Sequence, residues 1–256
     1  MTGRLKGRRA LVTGAGSGIG EATAVLFAQE GAKVGLIGRT ITKLDGVASR
    51  IRDAGGQCMV LPADVSNELA VQSAVAQLVG AWGGLDACVA VAGIEPWDRG
   101  DAAVDELDLS VWHEVVEVNL TGMFLTCKHA IRAMLATGGG SLVVTGSPTG
   151  MYGTALGQHA YSASKAGCHG LARVMANEYA RRGIRVNCVI PGFVDTPITA
   201  AVFENKEWLE RLNSGIPLGR AGRPEEIAAL NLWLCSDEAS YAVGGYFMAD
   251  GGITAI

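Results

Sequence analysis

Short apolar runs alternate along the chain with longer stretches in which apolar residues recur at helical spacing. The apolar runs predict seven strands, at 10–13, 33–37, 58–61, 87–91, 141–145, 185–189 and 245–248. The helical spacing predicts a first helix closed by Gly31 and further helices at about 42–54, 67–82 and 110–136. Continuous apolar strands that alternate with helices are typical of a parallel sheet covered on both faces. The pattern therefore predicts one doubly wound α/β domain over residues 1–256, without a linker.

The ends of the predicted strands carry residues that are suited to binding a ligand. Six of them follow a strand closely: Gly14, Arg39, Asp64, Gly93, Ser147 and Pro191. In a parallel sheet of this kind the ligand lies beyond the carboxyl ends of the strands. We therefore expect these six residues to line one edge of the sheet.

The first strand runs directly into a glycine-rich turn, Thr13 to Gly20, which reads Thr-Gly-x-x-x-Gly-x-Gly. A strand, a glycine turn and the start of a helix bring backbone N–H groups and the positive end of a helix dipole to one point. That arrangement suits a pyrophosphate, so the turn predicts a dinucleotide site. The glycine spacing differs from the more common Gly-x-Gly-x-x-Gly fingerprint.

Tyr161 and Lys165 stand one helical turn apart in the segment Tyr-Ser-Ala-Ser-Lys. An ammonium on the same helix face can favour the charged form of a phenol, whose ordinary pKa is about 10. Such a tyrosine can exchange a proton with an alcohol or a carbonyl near neutral pH. Ser147, just past the fifth strand, can donate a hydrogen bond to the same substrate oxygen. Taken alone, the Tyr–Lys spacing far more often describes an ordinary exposed pair on an amphipathic helix, and the other motifs of the chain reverse that preference.

Together these motifs resemble those of the short-chain dehydrogenase/reductase family over essentially the whole chain. The resemblance implies a single Rossmann-type domain that transfers a hydride between NAD(P) and a secondary alcohol or ketone. It implies catalytic roles for Asn119, Ser147, Tyr161 and Lys165. Asn119 is then expected to open a kink in the long helix, through which water relays protons to Lys165.

The resemblance also implies a set of cofactor-binding residues. These are Gly14, Ser17, Gly18, Ile19, Gly20, Arg39, Asp64, Val65, Ala92, Gly93, Tyr161, Lys165, Pro191, Gly192, Val194 and Thr196. Asp64 is expected to contact the adenine, and the segment from Pro191 to Thr196 to hold the nicotinamide carboxamide. One departure concerns residues 90–93, which read Ala-Val-Ala-Gly where the family usually has Asn-Asn-Ala-Gly. Ala90 therefore lacks a side chain that normally steadies the sheet.

The residues after the second strand favour NADP over NAD. Gly38 stands where the resemblance would place an aspartate that binds the ribose 2′-hydroxyl. Arg39 can instead pair with a 2′-phosphate or stack on the adenine. The alternative is that Arg39 is a solvated surface residue and that the cofactor is NAD.

Apolar residues in loops and after Pro191 predict a largely apolar substrate pocket. The candidates are Glu95, Trp97, Met151, Tyr152, Phe193, Ile198, Phe203, Trp208 and Leu209. The segment at about 196–214 is expected to act as a mobile substrate lid. Such a pocket favours a hydrophobic or ring-containing alcohol or ketone. The alternatives are a 3-ketoacyl-thioester reductase, an epimerase or isomerase on the same fold, and a non-catalytic dinucleotide-binding sensor or scaffold.

Composition and charge narrow the range of partners. The formal net charge of −4 argues against nucleic acid, and no apolar stretch is long enough to span a bilayer. The six cysteines are widely separated, without Cys-x-x-Cys or His-rich spacing, so no metal site is predicted. We expect a cytoplasmic protein with a small-molecule substrate. The resemblance implies a homotetramer built from the long helices around Asn119 and Tyr161 and from the apolar segment 251–256.

Overall fold

The seven predicted strands form one parallel sheet in the order β3-β2-β1-β4-β5-β6-β7. The computed structural model describes residues 3–96, 100–153 and 157–255. The strands are β1 Arg9–Thr13, β2 Lys33–Gly38, β3 Gln57–Pro62, β4 Ala87–Ala90, β5 Gly140–Thr145, β6 Ile184–Pro191 and β7 Tyr246–Ala249. Every strand pairing is parallel. The predicted fold class is confirmed, and the strand ends differ from the prediction by one or two residues.

Helices connect the strands and cover the sheet. They are α1 Gly18–Gln29, α2 Ile41–Asp53, α3 Glu68–Trp82, α4 Leu109–Val116, α5 Gly122–Ala136, α6 His159–Tyr179, α7 Ala200–Glu204, α8 Lys206–Ser214 and α9 Pro224–Cys235. The long helix predicted at 110–136 consists of α4 and α5, joined by one π-helical turn over Glu117–Thr121. Within the described residues, no helix has the length and apolar character needed to cross a membrane.

Two apolar layers lie on opposite faces of the sheet. Successive strand residues point to opposite faces. Leu11 accordingly belongs to the layer beneath α3, α5 and α6, and its neighbour Val12 to the layer beneath α1, α2 and α9. Both side chains are fully buried. Burial on both faces explains why the strands are continuous apolar runs rather than alternating ones.

The strand order reverses direction between β1 and β4: β2 and β3 follow on one side, and β5 to β7 on the other. A crevice opens at this point, at the carboxyl ends of the strands. The Thr13 side chain bridges this crevice. Its Oγ1 accepts hydrogen bonds from the backbone N–H groups of Val91 and Ala92, at 3.1 and 3.2 Å. These bonds hold the loop after β4 to β1, although buried Ala90 stands in place of the asparagine that the resemblance implies.

Candidate active site

Two adjoining cavities occupy the carboxyl edge of the sheet. The central cavity, of about 490 Å³, lies between the glycine turn, α6 and the segment after β6. The outer cavity, of about 190 Å³, lies between the glycine turn and the ends of β2 and β3. Predicted site residues that line the central cavity are Gly14, Ser17, Gly18, Ile19, Ala92, Gly93, Ser147, Tyr161, Lys165, Pro191, Gly192, Val194 and Thr196. Those that line the outer cavity include Arg39, Asp64 and Val65. The structure thus brings most of the predicted site together along one continuous edge.

The glycine turn has the shape that a pyrophosphate requires. Helix α1 begins at Gly18, and the Ser17 side chain before it makes no capping hydrogen bond in the described structure. The first N–H groups of α1 therefore remain for a ligand. Gly14 has a φ of 67°, and a Cβ there would lie 3.1 Å from Cα of Ala92. The residues present fit a dinucleotide, because glycine lets the turn lie against the loop after β4 while Gly18 and Ile19, at the start of α1, line the central cavity.

Gly20, predicted to bind the cofactor, lies beneath the glycine turn. Among the described residues that line the two cavities, Gly20 does not appear, and it is buried beneath the turn instead. A Cβ at this position would lie 2.2 Å from the carbonyl oxygen of Gly14. Gly20 therefore lets α1 pack closely under the turn.

The outer cavity carries two cations and one anion. Arg39 and Lys43 line it together with Asp64. Burial raises the pKa of Asp64, but hydrogen bonds from the N–H and hydroxyl of Ser66 and the charge of Arg39 outweigh burial, so the net pKa is lowered. Lys43 is absent from the predicted site. Its position four residues after Arg39, at the start of a helix, is the sequence signal that would have found it.

Tyr161 and Lys165 lie on one face of α6, as their spacing predicts. Nζ of Lys165 is 5.5 Å from the centroid of the Tyr161 ring and donates a hydrogen bond to the carbonyl oxygen of Thr145 at 3.0 Å. Ser147, two residues past β5, lines the same cavity, and its interaction with the phenol lowers the pKa of Tyr161. The structure thus places a phenol, a hydroxyl and an ammonium on one wall of the central cavity.

Asp101 holds the start of α6 in place. Its carboxylate accepts hydrogen bonds from the backbone N–H groups of Ala160 and Tyr161, both at 2.9 Å. A carboxylate at this position satisfies the first N–H groups of the helix and interacts favourably with its dipole. Sequence reasoning missed this residue, because 60 positions separate Asp101 from Tyr161.

The pKa of Tyr161 corrects an expectation from the sequence. Burial is the largest influence and raises this pKa, the Glu95 carboxylate raises it further, and the interaction with Ser147 lowers it by less. The net shift is upward, opposite to the expected one. Helical spacing alone does not reveal burial, and Lys165 directs its ammonium at a carbonyl oxygen. The phenol is therefore protonated at neutral pH in this structure, which is the form that reduction of a carbonyl requires.

Asn119 lies at the centre of the π-helical turn and is fully buried. Its Oδ1 accepts a hydrogen bond from the N–H of Ile94 at 2.7 Å. Its Nδ2 donates to the carbonyl oxygen of Ile94 at 2.8 Å and to Oγ of Ser164 at 3.2 Å. The predicted break in the helix is confirmed, since a π turn is a local break in regular α-helical bonding. Asn119 lines neither cavity among the described residues, and the water relay to Lys165 stays a prediction.

His169, two turns after Tyr161 on α6, supports the backbone at Ser147. Its Nε2 accepts a hydrogen bond from the backbone N–H of Ser147 at 3.2 Å. Burial, assisted by the charges of Lys165 and Arg173, lowers the pKa of His169 to about 4. The imidazole is therefore neutral at neutral pH and able to accept this bond. This contact depends on how α6 packs against β5, which no pattern in the sequence reveals.

The substrate side of the central cavity is mostly apolar. Its lining includes Glu95, Pro148, Tyr152, Gln158, Phe193, Ile198 and Leu212. Phe203, predicted as a pocket residue, stacks on Phe193 with ring centroids 5.4 Å apart. Leu212 of α8 reaches the cavity, whereas Trp208 and Leu209 are not among its described lining residues. Exposed Met151 is likewise not among them, and Trp97 lies outside the described residues.

Comparison with known proteins places the chain in a family. A family model described as enoyl-(acyl carrier protein) reductase matches residues 14–254. The chain is 43% identical over 250 residues to cis-4-hydroxycyclohexanecarboxylate dehydrogenase from Sinomonas cyclohexanicum, covering 97% of each chain. It is 40% identical over 252 residues to the 3-oxoacyl-[acyl-carrier-protein] reductase FabG from Thermotoga maritima, covering 98% of this chain and 99% of that protein.

A solved structure agrees with these relatives. It is a protein proposed to be an NAD(P)-dependent gluconate 5-dehydrogenase, from Beutenbergia cavernae, with bound NADP at low occupancy. It is 37% identical to the present chain, with a TM-score of 0.92 and full coverage of both chains.

The chain belongs to the short-chain dehydrogenase/reductase family. It is an NAD(P)-dependent oxidoreductase that acts on CH–OH groups, transferring a hydride between the nicotinamide and a secondary alcohol or ketone. The expected family and activity are thus confirmed. A nicotinamide cofactor bound at this edge of the sheet would supply or accept the hydride.

Proposed function

We propose that this protein interconverts a hydrophobic, ring-containing secondary alcohol and its ketone, with NADP as the preferred cofactor. The observation that carries the proposal is the composition of the central cavity. One wall holds Tyr161 together with Ser147, and the cavity also presents Phe193, Ile198 and Leu212. An apolar ring fits the second surface while its oxygen meets the first. The relative from Sinomonas cyclohexanicum, whose name specifies a hydroxycyclohexane substrate, supports the same class.

The proposed proton transfer follows from the geometry of α6 and the end of β5. Ser147 and the Tyr161 phenol hold the substrate oxygen by hydrogen bonds, and in reduction the phenol gives up its proton to that oxygen. The ammonium of Lys165, 5.5 Å from the ring centroid, stabilises the phenolate that remains. Protons return to Lys165 by water at the helix break around Asn119. In oxidation each proton moves the opposite way.

A screen of substrates tests the proposed function. Cyclohexanol and cyclohexanone derivatives, a 3-ketoacyl thioester and a linear sugar alcohol are incubated with NADP⁺ or NADPH, and the nicotinamide absorbance is followed. We expect the cyclic compounds to have the highest kcat/KM. A higher kcat/KM for the thioester would support the alternative that the FabG relative suggests. Tight cofactor binding without turnover of any compound would instead indicate a sensor or scaffold.

Arg39 is proposed to select NADP by contacting its 2′-phosphate. Arg39→Ala should weaken NADP binding about 10- to 100-fold and leave NAD binding nearly unchanged, since a hydrogen bond to a charged group contributes about 1.5–3 kcal/mol. Lys43→Ala should act in the same direction with a smaller effect, because both cations line the outer cavity. Arg52→Ala, an exposed change at the far end of α2, is the control. Fluorescence titration with both cofactors measures these affinities, and equal losses for NADP and NAD would reject the assignment.

The protein is proposed to be a homotetramer in solution. Large apolar side chains are exposed on the helices expected at the interfaces, Phe124 on α5 and Val174 on α6, and β7 is an edge strand that exposes Met248. Exposed apolar surface of this kind normally finds a partner. Ile256, at the end of the predicted C-terminal contact, lies outside the described residues. Light scattering at micromolar concentration should give four times the chain mass of 26.5 kDa. A stable monomer would reject the assembly, and a dimer would support only one of its interfaces.

The segment at 196–214 is proposed to be a lid that closes over bound cofactor and substrate. It contains α7 and α8, and Thr196, Ile198 and Leu212 line the central cavity. We expect this segment to gain hydrogen-exchange protection when both ligands are bound, because closure excludes water and orders the helices. Equal protection with and without ligands would show a fixed structure.

A pair of variants on α8 tests which lid residue meets the substrate. The sequence pointed to Trp208, whereas the structure places Leu212, one turn later, at the cavity. Leu212→Ala should raise KM for bulky cyclic substrates more than for small ones. Trp208→Ala is the comparison variant and should show less dependence on substrate size. A larger dependence on substrate size for Trp208→Ala would show that Trp208, as the sequence indicated, contacts the substrate.

A further inference from the structure

The turn after β5 places a second hydroxyl group beside that of Ser147. Thr149 lies on the 3₁₀ turn Pro148–Gly150, which directly follows Ser147, and both Ser147 and Thr149 line the central cavity. Oγ1 of Thr149 is 3.0 Å from Oγ of Ser147, within hydrogen-bond distance. The proposed proton transfer uses Ser147 and gives Thr149 no part, so this contact calls for an explanation.

Contacts other than the Thr149 hydroxyl hold this turn in place. The N–H of Gly150 donates to the carbonyl oxygen of Ser147 at 3.1 Å, and the N–H of Ser147 donates to His169 on α6. A Cβ at Gly150 would lie 2.7 Å from the backbone nitrogen of Ala166, so the turn lies directly against α6. Removal of the Thr149 hydroxyl therefore leaves the contacts that fix the turn intact.

The Ser147 hydroxyl can take part in three hydrogen bonds, because a hydroxyl has one hydrogen to donate and two lone pairs that accept. One lone pair of Ser147 Oγ accepts from the backbone N–H of Thr149, at 3.3 Å. Pro148, which stands between the two residues, has no N–H that could compete for this lone pair. The hydrogen and one lone pair remain, to be shared between the Thr149 hydroxyl and the substrate oxygen.

The direction of the bond between the two hydroxyls decides what Ser147 offers the substrate. If Ser147 donates to Thr149, only a lone pair is left for the substrate, and a carbonyl oxygen has no hydrogen to give it. If Thr149 donates to Ser147, both lone pairs of Oγ are occupied and the Ser147 hydrogen is left for the substrate oxygen. Hydrogen bonds linked in this way also polarise and strengthen one another. The second direction therefore stabilises the negative charge that develops on the substrate oxygen during reduction.

We propose that Thr149 orients the Ser147 hydroxyl so that Ser147 donates its hydrogen to the substrate oxygen. Thr149 is a positioning residue in this arrangement, because it acts on the reaction through Ser147. The inference rests on the proposed function, in which Ser147 and Tyr161 hold that oxygen. It extends the pair of donors by a third hydroxyl, which comes from the turn rather than from α6.

Single-turnover reduction of a cyclic ketone at saturating NADPH tests the inference at the chemical step. Thr149→Val removes the hydroxyl and keeps the branched side chain. It should lower the single-turnover rate constant about tenfold and change KM for the ketone by less than about twofold, because the bond matters most when charge develops on the oxygen. Thr149→Ala should show the same loss. Thr149→Ser, which keeps a hydroxyl, should stay within about threefold of the wild-type rate.

Thr137→Val is the matched control, since the same chemical change is made at an exposed residue between α5 and the start of β5. Its hydroxyl also makes a hydrogen bond, to the carbonyl oxygen of Met134 at 3.3 Å. This position lies at the edge of the sheet opposite the central cavity, so the rate constant should be unchanged. Thermal melting confirms that each variant is folded.

A double-mutant cycle with Ser147→Ala separates positioning of Ser147 from a structural effect. Ser147→Ala alone should lower the rate constant at least about 100-fold, the scale of a lost oxyanion donor. If Thr149 acts through Ser147, adding Thr149→Val to Ser147→Ala should change the rate by less than about twofold.

Three outcomes would overturn the inference and leave the proposed function standing. These are a further tenfold loss in the Ser147→Ala background, a wild-type rate in the folded Thr149→Val enzyme, and a Thr149→Ser enzyme as slow as Thr149→Val. A wild-type rate in the Ser147→Ala enzyme would show that Ser147 does not act on the substrate oxygen. In that case the proposed part of Ser147 in the reaction fails, and the inference fails with it.

Discussion

Replacement of Tyr161 by phenylalanine should lower turnover at least about 100-fold, the scale expected when a general acid is lost. The substitution removes the phenol hydroxyl and keeps the ring, so packing in the central cavity is preserved. The affinity for NADP should change by less than about twofold. Steady-state kinetics with a cyclic ketone and fluorescence titration with NADPH measure the two effects separately.

Tyr241→Phe is the matched control for this experiment. Tyr241 is fully exposed at the surface, so the same chemical change there should leave kcat unaltered. Near-full activity of the Tyr161→Phe enzyme would show that another group supplies the proton. A parallel loss of NADPH affinity would show instead that the phenol acts mainly in cofactor binding.

Replacement of Gly20 by alanine should weaken NADP binding at least about 100-fold and lower the melting temperature. The new Cβ would lie 2.2 Å from the carbonyl oxygen of Gly14, so the glycine turn has to move away from α1. Such overpacking typically costs about 1–3 kcal/mol of stability. The shift also displaces the N–H groups at the start of α1 that are proposed to meet the pyrophosphate.

Gly80→Ala is the control for the effect of adding a methyl group to a helical glycine. Gly80 lies within α3, and a Cβ there meets no other atom within 4 Å. This variant should bind NADP normally and be equally or slightly more stable, because alanine favours the helix by up to about 1 kcal/mol. Normal NADP affinity in the folded Gly20→Ala enzyme would contradict the proposed part of the turn in cofactor binding.

The fold could be predicted from the sequence because its strands are buried on both faces. Residues such as Leu11 and Val12 point to opposite layers and are both apolar, so each strand stands out as an unbroken run. The single helix predicted at 110–136 has a π turn at Glu117–Thr121 that periodicity does not reveal. Only the family resemblance of Asn119 indicated a break there, since the turn depends on the bonds of its side chain to Ile94.

Much of the candidate site could be predicted because strand ends converge and helix positions four residues apart share a face. Contacts between distant segments could not be predicted in this way. The bond between Gln158 and Glu95 joins residues 63 positions apart, and the contact of Asp101 with the start of α6 is similar. The raised pKa of Tyr161 likewise depends on burial, which the Tyr–Lys spacing does not encode.

The position of the lid contact shows a further limit of prediction. The sequence indicates an amphipathic segment at 196–214 and does not fix the rotation of α8 about its axis. That rotation decides which of two apolar residues one turn apart, Trp208 or Leu212, reaches the central cavity. Rotation is set by packing against the rest of the molecule, including the stacked pair Phe193 and Phe203 at the base of the lid.

Isotope transfer tests most directly whether this protein moves a hydride between nicotinamide and a secondary carbon. NADPH deuterated at both C4 positions is incubated with wild-type enzyme and a cyclic ketone, and the alcohol is analysed by mass spectrometry and NMR. We expect one deuterium per molecule of alcohol, bound to the carbinol carbon, and at least about 100-fold slower incorporation with Tyr161→Phe. Alcohol product without deuterium at that carbon, or unchanged NADPH after prolonged incubation with the whole substrate panel, would contradict the proposed reaction.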